Sequence, residues 1–318
     1  MPYLLCAVFV QHAHGCLLNS CANLFELSHT MAANSHRIKG MTMEYISIEG
    51  TKIPALGYGT WKLTGSKCLR GVRSALDVGY RHIDTAQIYE NEAEVGRAIF
   101  DSGLKREEIF LTTKIWTENL EKKAMRRSVE ESLRKLRTDY VDLLLIHWPR
   151  DQEVPFEEQL NTLTSLQREG TTKFIGVSNF TLPQLEYAVE ECHAKIINNQ
   201  IEYHPYLSQK KILNYLRSNG MFLTAYCPLA RGKVITDKKI LEIAHKYDKS
   251  PNQIALRWLI QQGQVAAIPK AAQEANMRSN FEIFDFKLDD AEMNSLYEMA
   301  QKDGRLISPD FAPKWDEV

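Results

Sequence analysis

Seven strand-like segments of this chain each end on a polar or aromatic side chain. Asp84 follows RHI, Lys114 closes IFLTTK, and His147 follows YVDLLLI. Ser178 and Asn179 close KFIGVSN, Gln200 sits late in IINNQIEY, Tyr226 late in MFLTAY, and Lys270 ends QVAAIPK. Tyr89 lies five residues past Asp84, where the strand pattern of YRHIDTAQIYENE gives way to a helical one. A carboxylate, an ammonium, an imidazole and a phenol are the groups of acid–base chemistry. Singly, each has an ordinary explanation: Lys114 as a surface lysine, His147 as a satisfied core histidine, Asp84 as a helix cap, Tyr89 as packing. Their recurrence at successive strand ends asks for an architecture that gathers strand ends together.

The elements supply one. EYISI and TKIP form a hairpin around Glu49-Gly50, and PALGYGT follows. Strand-like segments then alternate with helical ones over 66–79, 91–102, 121–137, 155–169, 181–192, 208–218, 236–247, 251–262, 272–281 and 289–301. In 121–137, Met125, Val129, Leu133 and Leu136 recur at helical spacing. Thr181 and Ser250 suit N-caps, and Pro251 suits a first helical turn. Alternation of strand and helix at roughly thirty residues per unit predicts a parallel sheet, and eight units predict an α/β (β/α)8 TIM barrel with an N-terminal β-hairpin. Such a barrel carries its chemistry at the C-terminal strand ends. A doubly wound sheet is the competitor, but GYG at 57–59 lacks the third glycine of the dinucleotide fingerprint, and no P-loop occurs.

With 318 residues, 44% of them hydrophobic, the chain can bury a sizeable core. Thirty-nine basic residues nearly balance forty acidic ones, which gives no sign of a nucleic-acid partner. No apolar run approaches membrane-spanning length. Six cysteines without CxxC spacing fit reduced thiols in a cytoplasmic protein. No His/Cys/carboxylate cluster demands a metal, and no Ser-His-Asp arrangement is evident; His82, two residues before Asp84, reads as packing. Residues 1–40 differ from the rest, with four of the nine histidines and only Glu26, Arg37 and Lys39 charged. They read as a disordered leader or a start codon placed too early, and 41–318 as a single barrel domain.

GTW (59–61), HIDTAQIYENE (82–92), TKIW (113–116), LLLIHWP (143–149), IGVSNF (175–180), NNQIEYHP (198–205), AYCPL (225–229) and AIPKA (267–271) together resemble the aldo-keto reductase family over about 44–318. The PDFAP ending and the short final loop are most similar to its bacterial 2,5-diketo-gluconate reductase and methylglyoxal reductase branch. The resemblance implies NAD(P)H-dependent reduction of small aldehydes and ketones by a monomer. It maps a catalytic tetrad onto Asp84, Tyr89, Lys114 and His147, with Tyr89 as general acid. A phenol has a pKa of about 10 and is a reluctant donor, and an adjacent ammonium lowers it. Lys114 would supply that charge, Asp84 would hold the ammonium, and His147 would orient the carbonyl oxygen.

The same resemblance places Ser178, Asn179 and Gln200 on the nicotinamide carboxamide and Tyr226 against its ring. Cys227 and Leu229 would lie along the pyrophosphate, Lys270 at a phosphate and Asn280 at the adenine. Cys227 stands where many relatives have serine, and a small packed thiol is expected there. Trp61, Trp116 and Trp148 would wall the substrate pocket. NADPH is the expected cofactor through Lys270. Asn276 stands where many relatives carry an arginine, which leaves NADH, or use of both, open. A redox-sensing regulatory subunit with little turnover is the alternative from another class.

Overall fold

The computed structural model describes residues 43–150 and 154–316. The predicted leader lies outside these residues. Strands β1 (Tyr45–Ile48) and β2 (Thr51–Pro54) pair antiparallel, with Ile48 opposite Thr51. Glu49 and Gly50 turn the chain with φ of 47° and 81°. Positive φ at both positions is the requirement of a tight two-residue hairpin.

β3 (Tyr58–Gly59), β4 (His82–Asp84), β5 (Phe110–Ile115), β6 (Val141–Ile146), β7 (Thr172–Ser178), β8 (Ile196–Glu202), β9 (Phe222–Tyr226) and β10 (Val265–Ala267) form an eight-stranded sheet in sequential order. Every pairing within it is parallel. The sheet closes where the chain before and within β3 meets β10. Gly57 N–H donates to Ala267 O at 2.8 Å, Ala267 N–H to Ala55 O at 2.8 Å, and Gly59 N–H to Pro269 O at 3.1 Å. The predicted barrel with its N-terminal hairpin is the observed one.

The strands are buried along almost their whole length because both faces are covered. All six residues of β6, VDLLLI, are buried. Helices cover the outer face, several of them with one buried stripe. In Lys122–Leu136 the buried positions are Met125, Val129, Ser132 and Leu136, with Leu133 only half-buried. Ser132 takes the buried place because it meets polar groups there, accepting a hydrogen bond from Gln87 Nε2 at 3.2 Å. Ser250 caps Pro251–Gln261 in a reciprocal box with Gln253. The predicted helix 181–192 runs as an α-helix over Leu182–Glu186 and then widens to a π turn over Tyr187–Glu191.

The helices Glu92–Asp101 and Lys122–Leu136 approach so closely that a Cβ on Gly96 would sit 2.5 Å from the backbone of Leu136. That contact needs a hydrogen in place of a side chain. A Gly96→Ala variant is expected to lose about 1–3 kcal/mol by forced separation of the helices. Urea denaturation of the variant beside the parent measures the loss.

Candidate active site

Strand β4 delivers Asp84 to the barrel mouth, and Thr60 pins it there. The Thr60 N–H and Oγ1 both donate to Asp84 O, at 3.0 and 2.9 Å. One strand over, Lys114 in β5 is 0% exposed. Its ammonium donates to Asp84 Oδ1 at 2.6 Å, to Thr85 O at 2.8 Å and to the Tyr89 hydroxyl at 3.4 Å. Asp84 Oδ2 accepts from Gln200 Nε2 at 2.8 Å, so both carboxylate oxygens are engaged. Burial lowers the Lys114 pKa, and Asp84 opposes that by attraction and hydrogen bonding.

Tyr89 hangs from the loop after β4 in the short 3-10 turn Gln87–Tyr89. Two amide side chains brace this loop. Gln87 Oε1 accepts from Trp116 N–H at 2.9 Å and from Asn119 Nδ2 at 3.0 Å. Asn91 Nδ2 donates to Thr60 O at 3.0 Å and Leu63 O at 2.8 Å, and its Oδ1 accepts from Thr85 Oγ1 at 2.6 Å. The phenol therefore sits beside the ammonium on a fixed loop. Its pKa stands well above the usual value, through burial first and the charge of Asp84 second. The sequence predicts a lowered value from Lys114 alone. The ammonium acts in that sense, but Asp84 behind it cancels part of its field and the closed surroundings disfavour tyrosinate.

His147 follows β6 and meets the edge of Tyr89 at 5.7 Å and of Trp116 at 5.3 Å between ring centroids. Burial and the neighbouring Lys114 charge hold its pKa well below the usual range, so the ring is neutral. Nδ1 is buried without a hydrogen-bond partner. A bare lone pair costs less there than an orphaned N–H, which favours the tautomer with its proton on Nε2.

These groups open into a cavity of ≈ 710 Å³, in the range of cofactor and ligand pockets. Of the residues expected from the sequence, Asp84, Tyr89, His147, Asn179, Gln200, Tyr226, Cys227, Leu229, Lys270, Trp61, Trp116 and Trp148 border it. Ser178 stands behind the wall at 1% exposure, with Oγ donating to Gln200 O at 2.8 Å. Asn280 is buried in the helix Glu274–Phe281 and does not border the cavity. Asn276 is exposed on that helix, while Arg278 pairs with Glu274 at 2.7 Å on the same helix. His82 packs edge-on against Phe110 at 5.0 Å between centroids. Cys227, held at φ 52°, has its thiol pushed up to about 11 by burial.

Sequence reasoning missed Gln87 and Asn91, and also Lys62, Ile88, Arg231 and Ile307 on the cavity wall. Position one residue after Trp61 or one after Ala230 carries no composition signal. The C-terminal segment lays Phe311 against Trp116 and Trp148, at 5.9 and 5.5 Å.

The wall suits a nicotinamide dinucleotide. Asn179 Oδ1 accepts from the Tyr226 hydroxyl at 2.7 Å, which sets an aromatic face beside two side-chain amides, Asn179 and Gln200. Lys270 and Arg231 add cations to the same cavity, and phosphates seek such groups. Among the described residues no group of His, Cys, Asp and Glu is arranged to hold a metal ion, and no helix is long and apolar enough to cross a membrane.

Removing Lys114 strands a buried carboxylate. Lys114→Met is expected to cost about 3–5 kcal/mol, and pairing it with Asp84→Asn to recover part of the loss. Chemical denaturation of both single variants and the double variant checks this.

The model of the aldo/keto reductase family matches residues 55–301. The methylglyoxal reductase DkgB of Escherichia coli O157:H7 is 44% identical over 267 residues, covering 83% of this chain and 99% of that one. The glyoxal reductase of Bacillus subtilis is 38% identical over 258 residues, or 81% and 92% of the two chains. The crystal structure of an aldo/keto reductase from Brucella melitensis superposes with a TM-score of 0.78 at 40% identity, covering 81% and 98%. The aldose reductase structure from Schistosoma japonicum gives 0.77 at 36%, covering 82% and 94%. Strand order, the acid–base cluster at the barrel mouth and these likenesses agree: the chain belongs to the aldo/keto reductase family, whose members reduce carbonyl compounds with a nicotinamide cofactor.

Proposed function

We propose that the chain reduces small aldehydes and ketones to alcohols with NADPH, using Asp84, Tyr89, Lys114 and His147 as its catalytic set. The reading rests on one observation above all: the Lys114 ammonium lies between the Asp84 carboxylate at 2.6 Å and the Tyr89 hydroxyl at 3.4 Å. When bound, the reduced nicotinamide supplies a hydride to the carbonyl carbon.

The chain's part is to complete that transfer with a proton. Negative charge grows on the carbonyl oxygen, and the protonated Tyr89 hydroxyl donates to it. Lys114 stabilises the tyrosinate left behind, and Asp84 keeps the ammonium charged and aimed. The neutral His147 ring donates through Nε2 to the same oxygen and fixes its direction. Trp61, Trp116 and Trp148 bound the substrate end of the cavity with apolar surface and keep water from the reacting carbon. Asn179, Gln200 and Tyr226, backed by Ser178, orient the nicotinamide and so choose the face from which transfer occurs. Lys270 takes a cofactor phosphate, and that assignment is the reason for preferring NADPH.

The relatives named for methylglyoxal and glyoxal reduction favour short, electron-poor carbonyl compounds, and such substrates need little binding area. A regulatory role without turnover has no observation in its favour.

Tyr89→Phe keeps the ring and removes only the proton donor. It should lower kcat by about a hundredfold or more while leaving NADPH affinity within about twofold. Absorbance assays of NADPH oxidation with methylglyoxal, beside fluorescence titration of the cofactor, test it, and a variant that turns over normally would sink the assignment. Lys270→Met should weaken NADPH by about tenfold and NADH much less, since a single charge–phosphate contact is worth about 1.4 kcal/mol or more. Equal weakening of both cofactors would move Lys270 away from the phosphate that distinguishes them.

A further inference from the structure

The last residue of β8, Glu202, is a carboxylate whose side chain has 0% exposure, and it does not border the cavity. Leaving a carboxylate dry is costly unless donors satisfy it. Here the donors come from more than a hundred residues away. Leu306 N–H donates to Oε1 at 2.8 Å and Ile307 N–H donates to Oε2 at 2.9 Å. His204 Nε2 lies 3.0 Å from Oε1, within hydrogen-bond distance, and its Nδ1 has no partner. Two consecutive amides aimed at one carboxylate fix both the position and the direction of the chain that carries them.

That chain is the C-terminal strap. It passes Tyr206 so tightly that Gly304 has no room for a Cβ. Beyond the clamp, Ile307 borders the cavity. The Arg305 guanidinium covers the Trp315 ring at 3.6 Å, and Asp316 Oδ2 accepts from Leu182 N–H at 2.8 Å. Phe311 closes on Trp116 and Trp148 between these attachments. Nothing in a barrel strand needs a carboxylate at this place. A glutamine could not serve equally, because its one oxygen cannot take both amides in the same way and its NH2 would face an N–H.

We propose that Glu202 is a positioning residue for the substrate. By holding the Leu306 and Ile307 amides it sets the strap whose Ile307 borders the cavity and whose Phe311 backs Trp116 and Trp148, and so restricts the cavity to small carbonyl compounds. The proposal rests on the reductase reading above and names what sets its substrate size.

The test uses the full-length protein and the nearly isosteric Glu202→Gln. Hydrogen exchange at the Leu306 and Ile307 amides should quicken by about tenfold or more, with the barrel strands unchanged. The KM for methylglyoxal should rise by about tenfold with kcat within about twofold, because binding and not chemistry is touched. The kcat/KM ratio of methylglyoxal over a bulky aromatic aldehyde should fall, while NADPH affinity stays as in the parent. Phe311→Ala, at the strap's exposed tip, should lower the same ratio by itself and add little on top of Glu202→Gln. Unchanged strap exchange in a folded Glu202→Gln variant overturns the proposal, as does an unchanged ratio in either variant. Should Glu202→Gln not fold, the ratio in Phe311→Ala decides. Should the parent turn over no carbonyl, the reductase reading falls, and the exchange measurement still decides whether Glu202 holds the strap.

Discussion

An ammonium sealed from solvent has to find all its partners within the protein, and Lys114 finds Asp84, Thr85 O and the Tyr89 hydroxyl. Much of the barrel mouth exists to make that arrangement hold. Asp84 must arrive on a rigid strand, with its main chain pinned by Thr60 and its second oxygen taken by Gln200. The phenol must arrive from a loop, and Gln87 and Asn91 brace that loop on either side. Desolvation alone would drive the lysine towards its neutral form. The carboxylate at 2.6 Å is what keeps it charged, and its cost in burial is the reason neither partner is replaceable alone.

The pair has opposite effects on its neighbours. Asp84 supports the charge on Lys114 and at the same time resists ionisation of Tyr89. Lys114 favours tyrosinate and adds to the burial that holds His147 neutral. The resting cluster therefore keeps the phenol protonated and the imidazole uncharged, a donor state for both. A proton donor that is hard to ionise at rest but has an ammonium within reach of its oxygen is suited to giving its proton only when charge develops opposite it.

A second buried carboxylate organises the other side of the mouth. Glu202 ties the strap to β8 two residues beyond Gln200, which itself touches Asp84. Acid–base cluster and C-terminal strap are thus both tied to one strand, at Gln200 and Glu202. A closed parallel barrel makes this economical, since each strand end is rigid and close to its neighbours' ends.

The residues by themselves determined the barrel. Largely apolar strands such as VDLLLI, alternating with amphipathic helices at a regular interval, have few other ways to bury both faces of a sheet. They also determined which side chains gather at the mouth, because a parallel barrel brings all C-terminal strand ends to one rim. Local pattern decides burial and direction, and Asp84, Lys114, His147, Gln200 and Tyr226 needed nothing more. What only the tertiary structure decided are the contacts between segments distant in sequence. The bracing of Tyr89 by Gln87 and Asn91, the place of Ser178 behind the wall, Asn280 away from the cavity and the docking of Phe311 all depend on where another segment lies. The direction of the Tyr89 pKa is of the same kind. It follows from burial and from a sum of opposing charges, and such sums depend on distances that no periodicity records.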